Sequence, residues 1–271
     1  MSENKLPLIL EPDVLEESLS YDNLLVVDLS KIENYLKMHV PGAVHIDYPR
    51  IIAASRPVMG LVPDDATLES VFSALGIDEH THVVAYDDEG GGRAARLLWT
   101  LEVAGHKNYS LLNGGLHAWA NEDHPMEAST VPPTAKTFHV KRDNTPFADS
   151  RYISERLNSD SCCLLDARSP DEYHGIKKYA ERAGHIPGAV NLEWTRAIDT
   201  DRNLRLRTDE ELTALLTPLG VTPDKEVITY CQTHHRSAHT YIMLKQLGFE
   251  KVKGYAGSWS EWGNNPDLPV E

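Results

Sequence analysis

Two apolar patterns alternate along this chain. Short, nearly unbroken apolar runs, LLVVD at 24–28, AVHI at 43–46, HVVAYD at 82–87 and YSLLN at 109–113, have counterparts in the second half: CLLDA at 163–167, AVNL at 189–192, EVITYC at 226–231 and KVKGYA at 251–256. A strand covered on both faces has no reason to alternate in polarity, so these runs predict buried parallel strands. Helical stretches lie between them. TLESVFSALG ends at Gly76, RAARLLWTLEVAG at Gly105 and SAHTYIMLKQLG at Gly248. A glycine just past the last apolar turn takes up the left-handed conformation that stops a helix. Strand–helix alternation of this kind predicts an α/β fold with a mainly parallel sheet and helices on both faces.

The pattern is written twice. HVPGAVHI at 39–46 returns as HIPGAVNL at 185–192, an offset of 185 − 39 = 146. VVAYD at 83–87 returns as VITYC at 227–231, an offset of 227 − 83 = 144, and LGI at 75–77 returns as LGV at 219–221 with the same offset. NGGLHAW at 113–119 matches AGSWSEW at 256–262, and Asp28 falls over Asp166. Ordered blocks whose offsets drift by a few residues mean a tandem duplication with small loop insertions. Between the halves, MEASTVPPTAKT at 126–137 carries Pro132–Pro133 among small polar residues and reads as a semi-extended linker. The expected domains are residues 8–125 and 138–271, packed with pseudo-two-fold symmetry.

Composition narrows the function. The 271 residues suffice for two ordinary domains, and 41% hydrophobic with 25% charged residues is typical of soluble globular proteins. With 26 basic and 41 acidic side chains the net charge is −15, which argues against nucleic acid or an anionic membrane as a partner. An anionic substrate would need a local positive field against that background. Cys162, Cys163 and Cys231 are too few for a disulfide framework and point to a reducing compartment. The N-terminus has no signal-peptide pattern, and no apolar run approaches the roughly 18 residues of a membrane span. A cytoplasmic monomer is expected.

The chemistry concentrates at one difference between the halves. In open α/β sheets, ligands bind where strand C-ends feed loops into helix N-termini. There the second half reads EVITY-CQTHHRS, with the helix expected from about Ser237. A loop this short turns several backbone N–H groups toward the Cys231 sulfur, and the helix dipole adds to them, favouring thiolate and anions. Arg236 adds a charge and a bidentate fork, and His234 and His235 add donors. With Gln232, Thr233 and Ser237 they form the candidate substrate-binding set around a catalytic Cys231. The first-half loop, YDDEGGGRA, puts Asp87 in the cysteine's place, followed by Asp88 and Glu89, so it can do no thiol chemistry and repels anions.

Other readings carry less. Cys162 and Cys163 lie within an apolar run and suit core packing. His39 and His185 hold matched positions in both halves, as do Asp28 and Asp166, which points to structural hydrogen bonding and loop orientation. A zinc site from Cys231, His234, His235 and His239 would need neighbouring ligands in a tight loop to converge, with no CxxC or HExxH spacing. Cysteine phosphatases use a Cys-x5-Arg loop, whereas Cys231 and Arg236 are separated by only four residues.

YLKMHVPGAVHI at 35–46 and VKGYAGSWSEW at 252–262 resemble the two rhodanese signatures, and the duplication and acidic counterpart loop extend the resemblance over nearly the whole chain. CQTHHR resembles the loop of bacterial two-domain rhodaneses and differs from the mercaptopyruvate sulfurtransferase loop. The resemblance implies two tandem rhodanese-like domains, the first inactive and the second catalytic. It implies ping-pong sulfur transfer from thiosulfate, a small anionic donor, to cyanide, a thiol or a protein acceptor through a Cys231 persulfide, with no metal or organic cofactor. A position that bears arginine in mercaptopyruvate enzymes falls on Glu172, which disfavours a 2-oxo acid substrate unless Arg182 compensates. A sulfur carrier delivering to protein partners shares the same persulfide and is the second expectation.

Overall fold

The structure is a computed structural model and describes residues 6–130 and 132–271. The first half runs β1 (Ile9–Leu10), α1 (Pro12–Ser18), β2 (Leu24–Asp28), α2 (Ile32–Tyr35), β3 (Val44–His45), β4 (Ala53–Ser55), β5 (Val58–Leu61), α3 (Asp65–Leu75), β6 (His82–Tyr86), α4 (Gly92–Val103), β7 (Tyr109–Leu112) and α5 (Gly115–Asn121). The second runs β8 (Phe147–Ala148), α6 (Ser150–Ser154), β9 (Cys162–Asp166), α7 (Pro170–Tyr173), β10 (Val190–Asn191), β11 (Ile198–Asp199), β12 (Arg205–Leu206), α8 (Asp209–Leu216), β13 (Glu226–Tyr230), α9 (Arg236–Gln246), β14 (Val252–Tyr255) and α10 (Ser258–Trp262).

Each half builds a five-stranded parallel sheet with helices around it. The orders β1-β7-β6-β2-β3 and β10-β9-β13-β14-β8 are the same order written from opposite edges. The apolar runs became the strands for the expected reason. Val26, Val84 and Leu112 are buried around Trp119 and Tyr86 in the first half, and Leu164, Ile228 and Tyr255 around Trp259 and Trp262 in the second. The helix stops also follow the sequence, with Gly76 at φ 88°, Gly105 at φ 92° and Gly248 at φ 80°.

The duplication reaches further than its sequence blocks. His39 and Glu127 exchange both backbone hydrogen bonds (2.8 and 2.9 Å), and so do His185 and Glu271 (2.8 and 3.0 Å). The two glutamates are 271 − 127 = 144 residues apart. Each side chain also accepts the N–H of a glycine, Gly42 at 2.8 Å and Gly188 at 3.1 Å. The His39 and His185 rings stack on Tyr35 and Tyr173 and lie within hydrogen-bond distance of the carbonyls of those same tyrosines. Within the expected linker and just beyond it, Lys136 and Phe138 donate their N–H groups to Ser73, and Phe138 is buried.

Contact density divides the chain into two compact units. The first holds the chain to Ile51 with Pro63–Arg142 and Asp199–Leu206; the second holds Ile52–Val62, Asp143–Ile198 and Arg207–Glu271. Each unit thus includes a short arm from the opposite half of the sequence, the first-half arm containing β4 and β5. No described helix is long and apolar enough to cross a membrane.

Candidate active site

At the centre of each sheet the register sets Asp28 beside Tyr86 and Asp166 beside Tyr230. The next residue along the central strand is Asp87 in one unit and Cys231 in the other. Asp166 is buried and accepts both the Arg168 N–H and its guanidinium, and that guanidinium lies over the Trp259 ring. This places the Asp166–Arg168 pair in the framework. Asp28 likewise accepts the Ser30 N–H at 2.6 Å.

Cys231 is 1% exposed. Its N–H donates to Ser258 Oγ at 3.2 Å, and its carbonyl accepts the Trp259 N–H at 2.9 Å. The Ser260 N–H donates to the Gln232 carbonyl at 3.0 Å. The segment GSWSEW is therefore the bed on which the loop lies, which explains its place in the sequence pattern. Gln232 Nε2 donates to the Tyr179 carbonyl, tying the loop's other side. His234 is buried at φ 54°, with Nδ1 2.8 Å from Ser237 Oγ. A non-glycine residue in the left-handed region is strained and persists only where its surroundings hold it. Gly60, on β5 of the same unit, is at φ 77°, and a Cβ there would run into the Thr233 carbonyl. Met59 beside it exchanges hydrogen bonds with Ser260 Oγ, both 3.0 Å.

These contacts set the sulfur's charge. Burial pushes the Cys231 thiol up, but the Arg236 charge, the Ser237 hydroxyl and the N–H groups of Ser237 and Thr233 outweigh it and bring the pKa down to about 7. Cys162 and Cys163 on β9 respond oppositely: burial pushes Cys162 up to about 12 and raises Cys163 as well. The tuned thiol is Cys231.

The first unit shows what such a loop is built to hold. Asp87 is fully buried, and Oδ1 accepts the N–H groups of Glu89 (3.0 Å) and Gly91 (2.8 Å), while Oδ2 accepts that of Ala94 (3.0 Å). At the 144-residue offset these donors correspond to Thr233, His235 and Ala238. The acidic loop fills its own anion cradle with a carboxyl group, and burial and Glu89 push that carboxyl's pKa upward.

The other expected residues divide. Arg236 opens α9, but its guanidinium is bound to Glu172, Nη1 to Oε2 at 2.6 Å and Nη2 to Oε1 at 2.8 Å. His235 and His239 flank Trp194, with ring centroids 6.0 and 5.4 Å away. Burial, with a smaller push from His235, brings His239 down to about 4. Among the described residues, no group of three or more His, Cys, Asp or Glu side chains is arranged to hold a metal. Arg182 donates to the carbonyls of Trp262 and Leu268 in the framework, so it is committed away from any substrate carboxylate. Gly60, Ser258 and Trp194 lay outside the expected set. Ser258 carried a signal, its place in AGSWSEW, whereas Gly60 lies in an arm with no motif.

The architecture is that of a duplicated α/β protein in which one of two matched loops bears a thiol. The model of the rhodanese-like domain matches residues 11–122 and 150–265, and the chain belongs to the rhodanese family. A thiosulfate sulfurtransferase of Azotobacter vinelandii is 48% identical over 98% of this chain and 97% of its own length. One of Pseudomonas aeruginosa is 46% identical over the same shares. The sulfur carrier protein TtuD of Thermus thermophilus is 34% identical over 97% of this chain and 96% of its own. In fold the chain is similar to YnjE, with a TM-score of 0.85 at 24% identity over 97% of this chain and 68% of that one.

Proposed function

We propose that the protein is a thiosulfate sulfurtransferase whose sulfur carrier is Cys231. The Cys231 thiolate attacks the outer sulfur of thiosulfate, the S–S bond of the donor breaks, and sulfite leaves with its electron pair. The persulfide anion then gives its terminal sulfur to cyanide or another thiophilic acceptor, forming thiocyanate in the first case and restoring the thiolate. The observation that carries this reading is a buried cysteine, set just ahead of a helix, whose thiol is nonetheless held near pKa 7 by the Arg236 charge, the Ser237 hydroxyl and the amides of the loop. The Thr233 N–H suits the terminal persulfide sulfur, much as its counterpart, the Glu89 N–H, holds the Asp87 carboxyl. The three cysteines are free, which fits a reducing compartment, and we place the protein in the cytoplasm. The likeness to TtuD supports a second use of the same persulfide, delivery to a protein. Comparing kcat/KM for thiosulfate with that for 3-mercaptopyruvate, each with cyanide as acceptor, tests the assignment. Thiosulfate is expected to be strongly preferred, and preference for mercaptopyruvate would refute it.

A further inference from the structure

Arg236 lies at the mouth of the helix that follows the thiol, yet both ends of its fork are taken by one carboxylate at 2.6 and 2.8 Å. That carboxylate is itself fixed. Glu172 is buried, and its Oε2 also accepts the Ser169 N–H (3.2 Å) and hydroxyl (3.0 Å), completing the capping box of α7. An arginine side chain is long and rich in rotamers and, untethered, would spend its time in solvent. There its charge would be screened by a dielectric constant of about 80.

We propose that Glu172 is a positioning residue: by locking Arg236 it fixes a positive charge at the start of the helix that follows Cys231, and it acts on the sulfur only through Arg236. The inference rests on Cys231 being the sulfur carrier. Its sign separates it from a direct electrostatic role. Glu172 is an anion, held down to about 2 chiefly by Arg236 against the upward push of burial, so it stays charged wherever the thiol titrates. Removing an anion that acted directly would favour the thiolate. Removing a tether for Arg236 disfavours it. The other titratable and charged groups around the loop are His234 and His235 within it, His239 on α9, Asp166 at the end of β9 with Arg168 just beyond it, and Tyr230 at the end of β13. They are the same in every variant compared below.

The test is a pH titration of thiolate ultraviolet absorbance in the full-length protein. Cys162 and Cys163 ionise above their usual range, so Cys231 owns the lowest step, and C231A, which should lack it, verifies this. Glu172→Gln should move the step upward by roughly one unit, a tenfold loss of thiolate well below the midpoint. Glu172→Asp keeps the charge but shortens the reach, and should move it upward by less. Arg236→Ala should move it upward on its own, and adding Glu172→Gln to that variant should change nothing further. A downward or absent shift in both Glu172 variants overturns the proposal, as does a Glu172→Gln effect that adds in full to Arg236→Ala. If instead C231A keeps both the low step and the uptake of sulfur from thiosulfate, the reading of Cys231 fails, a result distinct from either of these.

Discussion

Cys231 combines two properties that usually exclude each other, near-complete burial and a thiol that ionises near neutrality. Its neighbours explain the combination, and they make it testable. With the thiolate as the proposed nucleophile, kcat/KM for thiosulfate should rise with pH through about 7 and then level off, as a steady-state pH profile would show. Cys162→Ser and Cys163→Ser should lower the melting temperature while leaving sulfur transfer in place, because both thiols sit in β9 and are pushed away from ionisation. Arg236→Ala should lower kcat/KM by roughly a decade below neutral pH, since it removes the charge that favours the Cys231 thiolate and each unit of upward pKa shift costs tenfold in thiolate there. It should also lower the melting temperature, because it leaves the buried Glu172 carboxylate without its partner. Cys231 and its loop were legible in the sequence because the two halves differ most sharply there. The Glu172–Arg236 pair was not. Sequence shows Glu172 only as a departure from a family position, and 64 residues separate the partners.

At the scale of elements, the apolar runs read from the sequence are strands, and the glycine stops lie at or just past helix ends. The edge strands Ile9–Leu10 and Phe147–Ala148 were not legible, because two residues carry no periodicity. Nor was the β4–β5 arm, whose counterpart in the second half, β11–β12, shares no sequence block with it and whose value lies in contacts distant in sequence. Gly60 on that arm gives the sharpest test. An alanine there would be strained by about 1–2 kcal/mol for its left-handed backbone and would press on the Thr233 carbonyl besides. Gly42→Ala is the control, since Gly42 is also left-handed, at φ 73°, but has nothing within 4 Å of an added Cβ. Both variants should melt earlier by thermal denaturation, and only Gly60→Ala should also lose thiosulfate turnover.

At the scale of the whole molecule, the first unit has a carboxyl group where the second has its thiol, in a chain whose net charge is −15. The first half nevertheless supplies residues 52–62 to the second unit. A fragment of residues 138–271 lacks that arm and should turn over thiosulfate poorly even if it folds. A fully active fragment would show the arm to be dispensable. The central claim, that one sulfur atom rides on Cys231, is tested most directly by intact-mass measurement of the full chain after incubation with thiosulfate and removal of excess donor. The wild type should gain the mass of one sulfur and lose it on adding cyanide, while C231A gains none. A C231A protein that takes up the sulfur, or a wild type that never does, would contradict the account.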